Sequence, residues 1–215
     1  MTRALIAALI AAMSVVACGS PSSTPLGPTA ADVAVQQQDL PSGMVKCDLT
    51  GDIQSFIDKE QTPDPTTSKT MSSDWDQAKK NGATSAYASI YTDSKAHCDS
   101  IKSSGADLGA ATYKTALNFV IEFKDEKSAA SGYRSDKTIF GFSASSLKSA
   151  VAGSVLEGTK TGLSQNSITL EQPIANQFFY IAVWQKKVFM VILAVLNIDA
   201  TAAKKVATSE NDRIK

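Results

Sequence analysis

The chain has one histidine, His97, in 215 residues. That scarcity removes most metal sites and nearly every catalytic triad built on a histidine base. It has three cysteines and no C-x-x-C pair, so common zinc-site and redox-motif spacings are missing too. It has no excess of either charge. Its 21 basic and 21 acidic side chains balance, which leaves nothing to neutralise a phosphate backbone and excludes nucleic acid as a partner. It also lacks an apolar run of the roughly 20 residues that a membrane-spanning helix needs. The longest candidate, 178–196, is interrupted by Gln185-Lys186-Lys187, and two adjacent ammonium groups at a bilayer centre are costly. What is present, 43% apolar and 20% charged residues, belongs to a chain that folds. No substrate or reaction can be read from these residues.

The N-terminus is more informative. Met1-Thr2-Arg3 is a short positive start, and residues 4–16 are apolar except for Ser14, as in the h-region of a secretory signal peptide. The run ends in Val15-Val16-Ala17-Cys18, followed by Gly19-Ser20. This resembles the bacterial lipobox, with Val15 where leucine is usual. The resemblance implies diacylglycerol transfer to Cys18 and cleavage before it, making residues 1–17 a lipoprotein signal peptide. Residues 18–38, with Pro21, Pro25 and Pro28 among serines and threonines, read as a flexible tether. Residues 39–215 then form the folded domain. Acyl chains contribute about 0.8 kcal/mol per buried methylene, so two or three make a stable anchor. The expected location is the extracytoplasmic face of the cell membrane.

With Cys18 committed to lipid, Cys47 and Cys98 remain. An even pair outside the cytoplasm favours a disulfide between them, and closing so long a loop stabilises by roughly 4 kcal/mol in a chain-entropy picture. The competing site, a metal held by Cys47, His97 and Cys98, lacks a fourth ligand. His97 and Cys98 are adjacent on an expected helix and diverge, so His97 reads as a solvated helix-face residue and no metal or cofactor is expected.

Along the domain, Ile53, Phe56 and Ile57 have helical spacing after Asp52, a good cap. A second helix is expected over 67–80, stopped at Asn81-Gly82. Three units then recur, each an apolar strand, an aspartate and a helix rich in alanine and serine: 83–91 with Asp93, 115–123 with Asp125, and 188–196 with Asp199. The carboxylates suit the free N–H groups of a helix start. A short helix is expected within 142–150, strands at 155–159 and 167–172, and a hairpin of 178–184 with 188–196. The hairpin is apolar on both faces, as in a strand covered on two sides. Strand 115–123 sets Leu117, Phe119, Ile121 and Phe123 against Asn118 and Glu122, which predicts a half-solvated strand. The expected fold is α+β: a largely antiparallel sheet of about five or six strands with helices mainly on one face.

Catalytic fragments occur but do not assemble. Ser145-Ser146-Leu147-Lys148, Lys160-Thr161-Gly162 and Ser164-Gln165-Asn166 match the motif types of penicillin-binding proteins, yet in the wrong order and too close together. Gly153-Ser154-Val155-Leu156-Glu157-Gly158 begins like a phosphate loop, with its lysine one place late. Paired carboxylates drawn from Asp74, Asp76, Glu122, Asp125, Glu126, Glu157 and Glu171 have simpler readings as caps and solvated faces. Phe178, Tyr180, Trp184 and Met190 remain as candidate lining for an apolar ligand between sheet and helices.

The lipobox, the tether and the strand–Asp–helix units resemble small lipoproteins of unknown role in actinobacteria. Phe123-Lys124-Asp125 followed by Ser128-Ala129-Ala130, with the closing hairpin and Ala202-Ala203 of the last helix, resemble extracellular sensor domains of mycobacterial receptor kinases over residues 115–215. The extra cysteine pairs of those sensors are missing, and no catalytic residue carries over. The leading expectation is a lipid-anchored, non-catalytic binding or sensor domain for a small apolar ligand or an envelope protein partner. The alternatives are a surface hydrolase with a carboxylate-based site and a structural envelope lipoprotein. Metabolic acyl labelling should mark the mature chain in the membrane fraction. A cytosolic polypeptide with its leader intact and no acyl label would overturn the placement.

Overall fold

The computed structural model describes residues 27–104, 111–174 and 177–215, so Cys18 and the expected signal peptide lie outside the described residues. Eight strands form one antiparallel sheet: β1 (Val45–Lys46), β2 (Gly51–Asp52), β3 (Ala83–Thr92), β4 (Thr115–Phe123), β5 (Ser154–Glu157), β6 (Asn166–Ile174), β7 (Gln177–Lys186) and β8 (Phe189–Leu196). Their order is β1-β3-β4-β8-β7-β6-β5, with β2 also on β3. The count exceeds the expected five or six because β1 and β2 are two residues each. A strand that short leaves no period-two signal.

Seven helices occur among the described residues: α1 (Ala30–Val33), α2 (Ile53–Glu60), α3 (Pro65–Lys80), α4 (Lys95–Ser104), α5 (Glu126–Arg134), α6 (Ala144–Lys148) and α7 (Ala200–Arg213). Asp52, Asp64, Asp125 and Asp199 cap α2, α3, α5 and α7 by accepting from Ser55, Thr67, Ser128 and Ala202 N–H groups. The joint at Asp93 differs. Ser94 Oγ accepts the His97 N–H, while Asp93 accepts the Lys114 N–H and pairs with His97 Nδ1. His97 is therefore not a free surface ring; it also stacks on Tyr113 with centroids 4.1 Å apart.

Both faces of the sheet are covered. Side chains of α2 to α6 pack with Leu117, Phe119, Ile121 and Phe123 of β4 and Met190 and Ile192 of β8. α1 and α7 pack on the reverse side with Val120 of β4 and Val191, Leu193 and Val195 of β8. This corrects two expectations. β4 is not half-solvated: Asn118 is 0% exposed, its Oδ1 accepting the Val35 N–H and its Nδ2 donating to Ile192 O and Glu210 Oε1. Within the segment expected as a tether over 18–38, residues 30–35 are packed: α1 and Val33, Ala34 and Val35 are buried against the sheet. A single asparagine looks polar in a strand pattern, yet it hydrogen-bonds inside the core and so carries no solvent requirement.

The second strand–Asp–helix unit shows how closely a helix can approach. A Cβ built on Gly132 of α5 would lie 2.9 Å from the buried Phe123 ring and 3.5 Å from Met190 Sδ. Gly132→Ala gains about 1 kcal/mol of helix propensity, but overpacking costs typically about 1–3 kcal/mol. Urea unfolding should show the variant destabilised; an unchanged or raised midpoint would contradict this contact.

Candidate functional site

The helical layer does not fill the space above the sheet. Ile90 of β3 and Leu117 and Phe119 of β4 floor a cavity of about 210 Å³. α2 contributes Phe56 and Glu60, α3 contributes Thr67 and Met71, α4 contributes Ile101, and loops contribute Leu49, Phe140 and Phe142. The rings contact one another: Phe56 meets Phe119 edge-on at 5.7 Å, and Phe119 lies 4.8 Å from Phe140.

Glu60 is the unusual member. Ile53, Phe56, Ile57 and Glu60 are the buried positions of α2, so the carboxyl occupies the last place on the apolar stripe. It is 2% exposed and accepts no hydrogen bond among the described residues. Thr67, the other polar lining residue, is engaged: its N–H and hydroxyl both donate to the Asp64 carboxylate, at 3.0 and 2.7 Å. Those bonds hold Asp64 below the usual carboxylate range. Burial pushes Glu60 up to about 7, with the Asp64 charge adding and the Lys102 ammonium opposing.

Two devices set the cavity walls. Phe140 is a buried non-glycine residue at φ 52°, followed by Gly141 at 83°. Its N–H donates to Asp74 Oδ2 at 2.9 Å, and Ile139 bridges Phe142 beside it. A bulky side chain in the left-handed region is costly and persists only where surroundings impose it. The other device is the Cys47–Cys98 disulfide, with Cα atoms 5.3 Å apart. Leu49 follows one cysteine by two residues and Ile101 follows the other by about a helical turn, so the bond fastens both to the same wall. Outside that wall, a groove of about 290 Å³ runs along the disulfide between Lys46, Asp48, Lys95, Asp99 and Lys102.

The hairpin residues stand elsewhere. Tyr180 and Trp184 are fully buried on the reverse face, beneath α1 and α7, where burial raises the Tyr180 hydroxyl pKa. Phe178 packs on that side and borders a shallow hollow with Thr112, Asn197, Ile198 and Asp199. Met190 points the other way, toward α5. The four are thus not brought together. Lys148 pairs with Glu157 at 3.0 Å, Lys204 with Glu171 at 2.8 Å and Lys79 with Asp76 at 2.9 Å, so several of the candidate carboxylates are in surface ion pairs. No group of three His, Cys, Asp or Glu converges as a metal site among the described residues, and both sulfurs of Cys47 and Cys98 are bonded.

The cavity residues were open to detection in part. An acid at the fourth buried position of a helical stripe, Ile53-Phe56-Ile57-Glu60, is a readable anomaly. Phe140 and Phe142 sit in an irregular loop and leave no periodic signal.

No family model matches the chain, and no curated protein matches it. Among solved structures, the extracellular domain of PknH from Mycobacterium tuberculosis is similar at 14% identity and a TM-score of 0.39. The match covers 62% of this chain and 66% of that one, just under two thirds of its length.

Glu60 also gives stability a pH dependence of known sign. Its folded-state pKa of about 7 lies above the ordinary 4.5, so between those values the folded state holds a proton the unfolded state has lost. Stability falls as pH rises through that window, and the penalty is complete above it. Glu60→Gln should gain thermal stability relative to the parent across the window and level off beyond it. A difference that does not change with pH would contradict the buried carboxyl.

Proposed function

We propose that the chain is a lipid-anchored, extracytoplasmic binding domain that takes a small apolar ligand into the cavity between β3–β4 and α2–α4. The observation that carries this reading is the cavity itself: a largely apolar space of about 210 Å³, partly open to solvent, with one carboxyl, Glu60, to which no described residue donates. Ligand sites are concave and mostly apolar, with a few placed polar groups. The size suits a single ring with a short side chain, since a cavity of about 150 Å³ holds benzene. The anchoring part of the proposal is supported by residues 1–18 and by the Cys47–Cys98 disulfide, a bond that persists in oxidising compartments. In this reading the lipid on Cys18 would supply attachment; no helix among the described residues is long and apolar enough to cross a membrane.

A binding role fits the site better than hydrolysis does. The nearest carboxylate acting on Glu60 is Asp64, whose oxygens are occupied by Thr67 and the start of α3. That pair serves a cap rather than an acid–base exchange with a substrate.

Native mass spectrometry of the protein from its own host should show a small molecule that co-purifies. Ile101→Phe, which places a ring in the cavity from α4, should lose it while the circular dichroism spectrum stays that of the parent. Retention by a folded Ile101→Phe would place the ligand elsewhere.

A further inference from the structure

The lining of the cavity is chemically one-sided. Its single ionisable side chain is an acid, Glu60, and no lysine, arginine or histidine lines it. Four phenylalanines and Met71 make up much of the rest. Aromatic faces carry partial negative charge and attract cations. The charged groups acting on Glu60 from neighbouring elements are Asp64, at the start of α3, and Lys102, on α4. Lys102 lines the outer groove along the disulfide and does not line the cavity. A buried carboxylate with no donor is a costly arrangement unless something supplies one. Thr67 cannot, because its hydroxyl already serves Asp64.

We propose that the occupant is an organic ammonium: a small hydrophobic amine whose ring or short alkyl body fills the cavity and whose N–H donates to the Glu60 carboxylate. This rests on the cavity being a ligand site, and it adds the charge of the ligand. An anionic or carbonyl-bearing ligand of the same size would instead need a protonated Glu60 as donor. The two cases differ in proton balance. Where Glu60 is protonated, binding a cation releases its proton to solvent, so affinity for the amine rises with pH until the carboxyl is fully ionised. Affinity for an acid falls over the same range.

The test uses the disulfide-intact chain and three probes of one shape: 2-phenylethylamine, propylbenzene and 3-phenylpropanoate, titrated by NMR and calorimetry. The amine should bind about tenfold tighter than propylbenzene at about pH 8, the scale of one charge-assisted hydrogen bond. Glu60→Gln should abolish that advantage, so that the amine binds no tighter than propylbenzene. Should the variant not fold, the parent's own profile decides: affinity for the amine should rise from about pH 5 to about pH 8. If propylbenzene binds as tightly as the amine, or 3-phenylpropanoate binds tightest, the ammonium inference falls and the cavity reading stands. If none of the three binds, both fall.

Discussion

Arg213 and Asn118 close one face of the sheet. The Arg213 guanidinium, at the end of α7, donates to the carbonyls of Val33 and Ala34 and to Asp39, all within 3.0 Å. Asn118, in the middle of β4, accepts the Val35 N–H and donates to Glu210. Ser89 and Tyr91 of β3 both donate to the Val35 carbonyl. The segment after α1 has no partner strand, so its backbone groups must find side chains once buried. They find these, and through Asn118 the first and last elements of the domain are both bound to β4. A planar guanidinium suits the role because one fork reaches several acceptors at fixed geometry.

Two glutamates are buried, one on each side of the sheet. Glu210, fully buried on the closed face, is held by Asn118, and desolvation raises it well above the ordinary carboxyl range. Its charge is further answered by Arg213 nearby. Glu60 on the open face has no such donor. The same desolvation acts on both: Asn118 answers one oxygen of Glu210 while its Oε2 is buried without a partner, and Glu60 borders the cavity.

Much of the fold was legible because most of its elements obey simple periodicities. The caps at Asp52, Asp125 and Asp199, the stop at Asn81-Gly82 and the two-faced hairpin all follow from local chemistry that the tertiary structure leaves unchanged. The failures share one cause. Asn118 reads as a solvated position until α1 and α7 are laid over it, and residues 29–38 read as linker until their partners Arg213, Ser89 and Tyr91 are known. Both depend on contacts between residues far apart in sequence. The site was obscured for a related reason. Aromatic density drew attention to Phe178, Tyr180 and Trp184, which fill a well-packed face, whereas a cavity is defined by what several elements fail to fill.

The energetics of that unfilled space argue that it is not an accident of packing. With a slope of about 24 cal/mol per Å³ for a closed cavity, a space of about 210 Å³ that opens partly to solvent forgoes at most on the order of 5 kcal/mol. The Cys47–Cys98 bond contributes roughly 4 kcal/mol against it in the chain-entropy picture, and it does so from the cavity's own wall. The bond joins the segments that carry Leu49 and Ile101, so both stay fixed on one wall of the cavity. Phe140, held in the left-handed region by Asp74, does the same on the loop side. Two restraints thus fix parts of the cavity wall, and a ligand that filled the space would gain dispersion contacts with it.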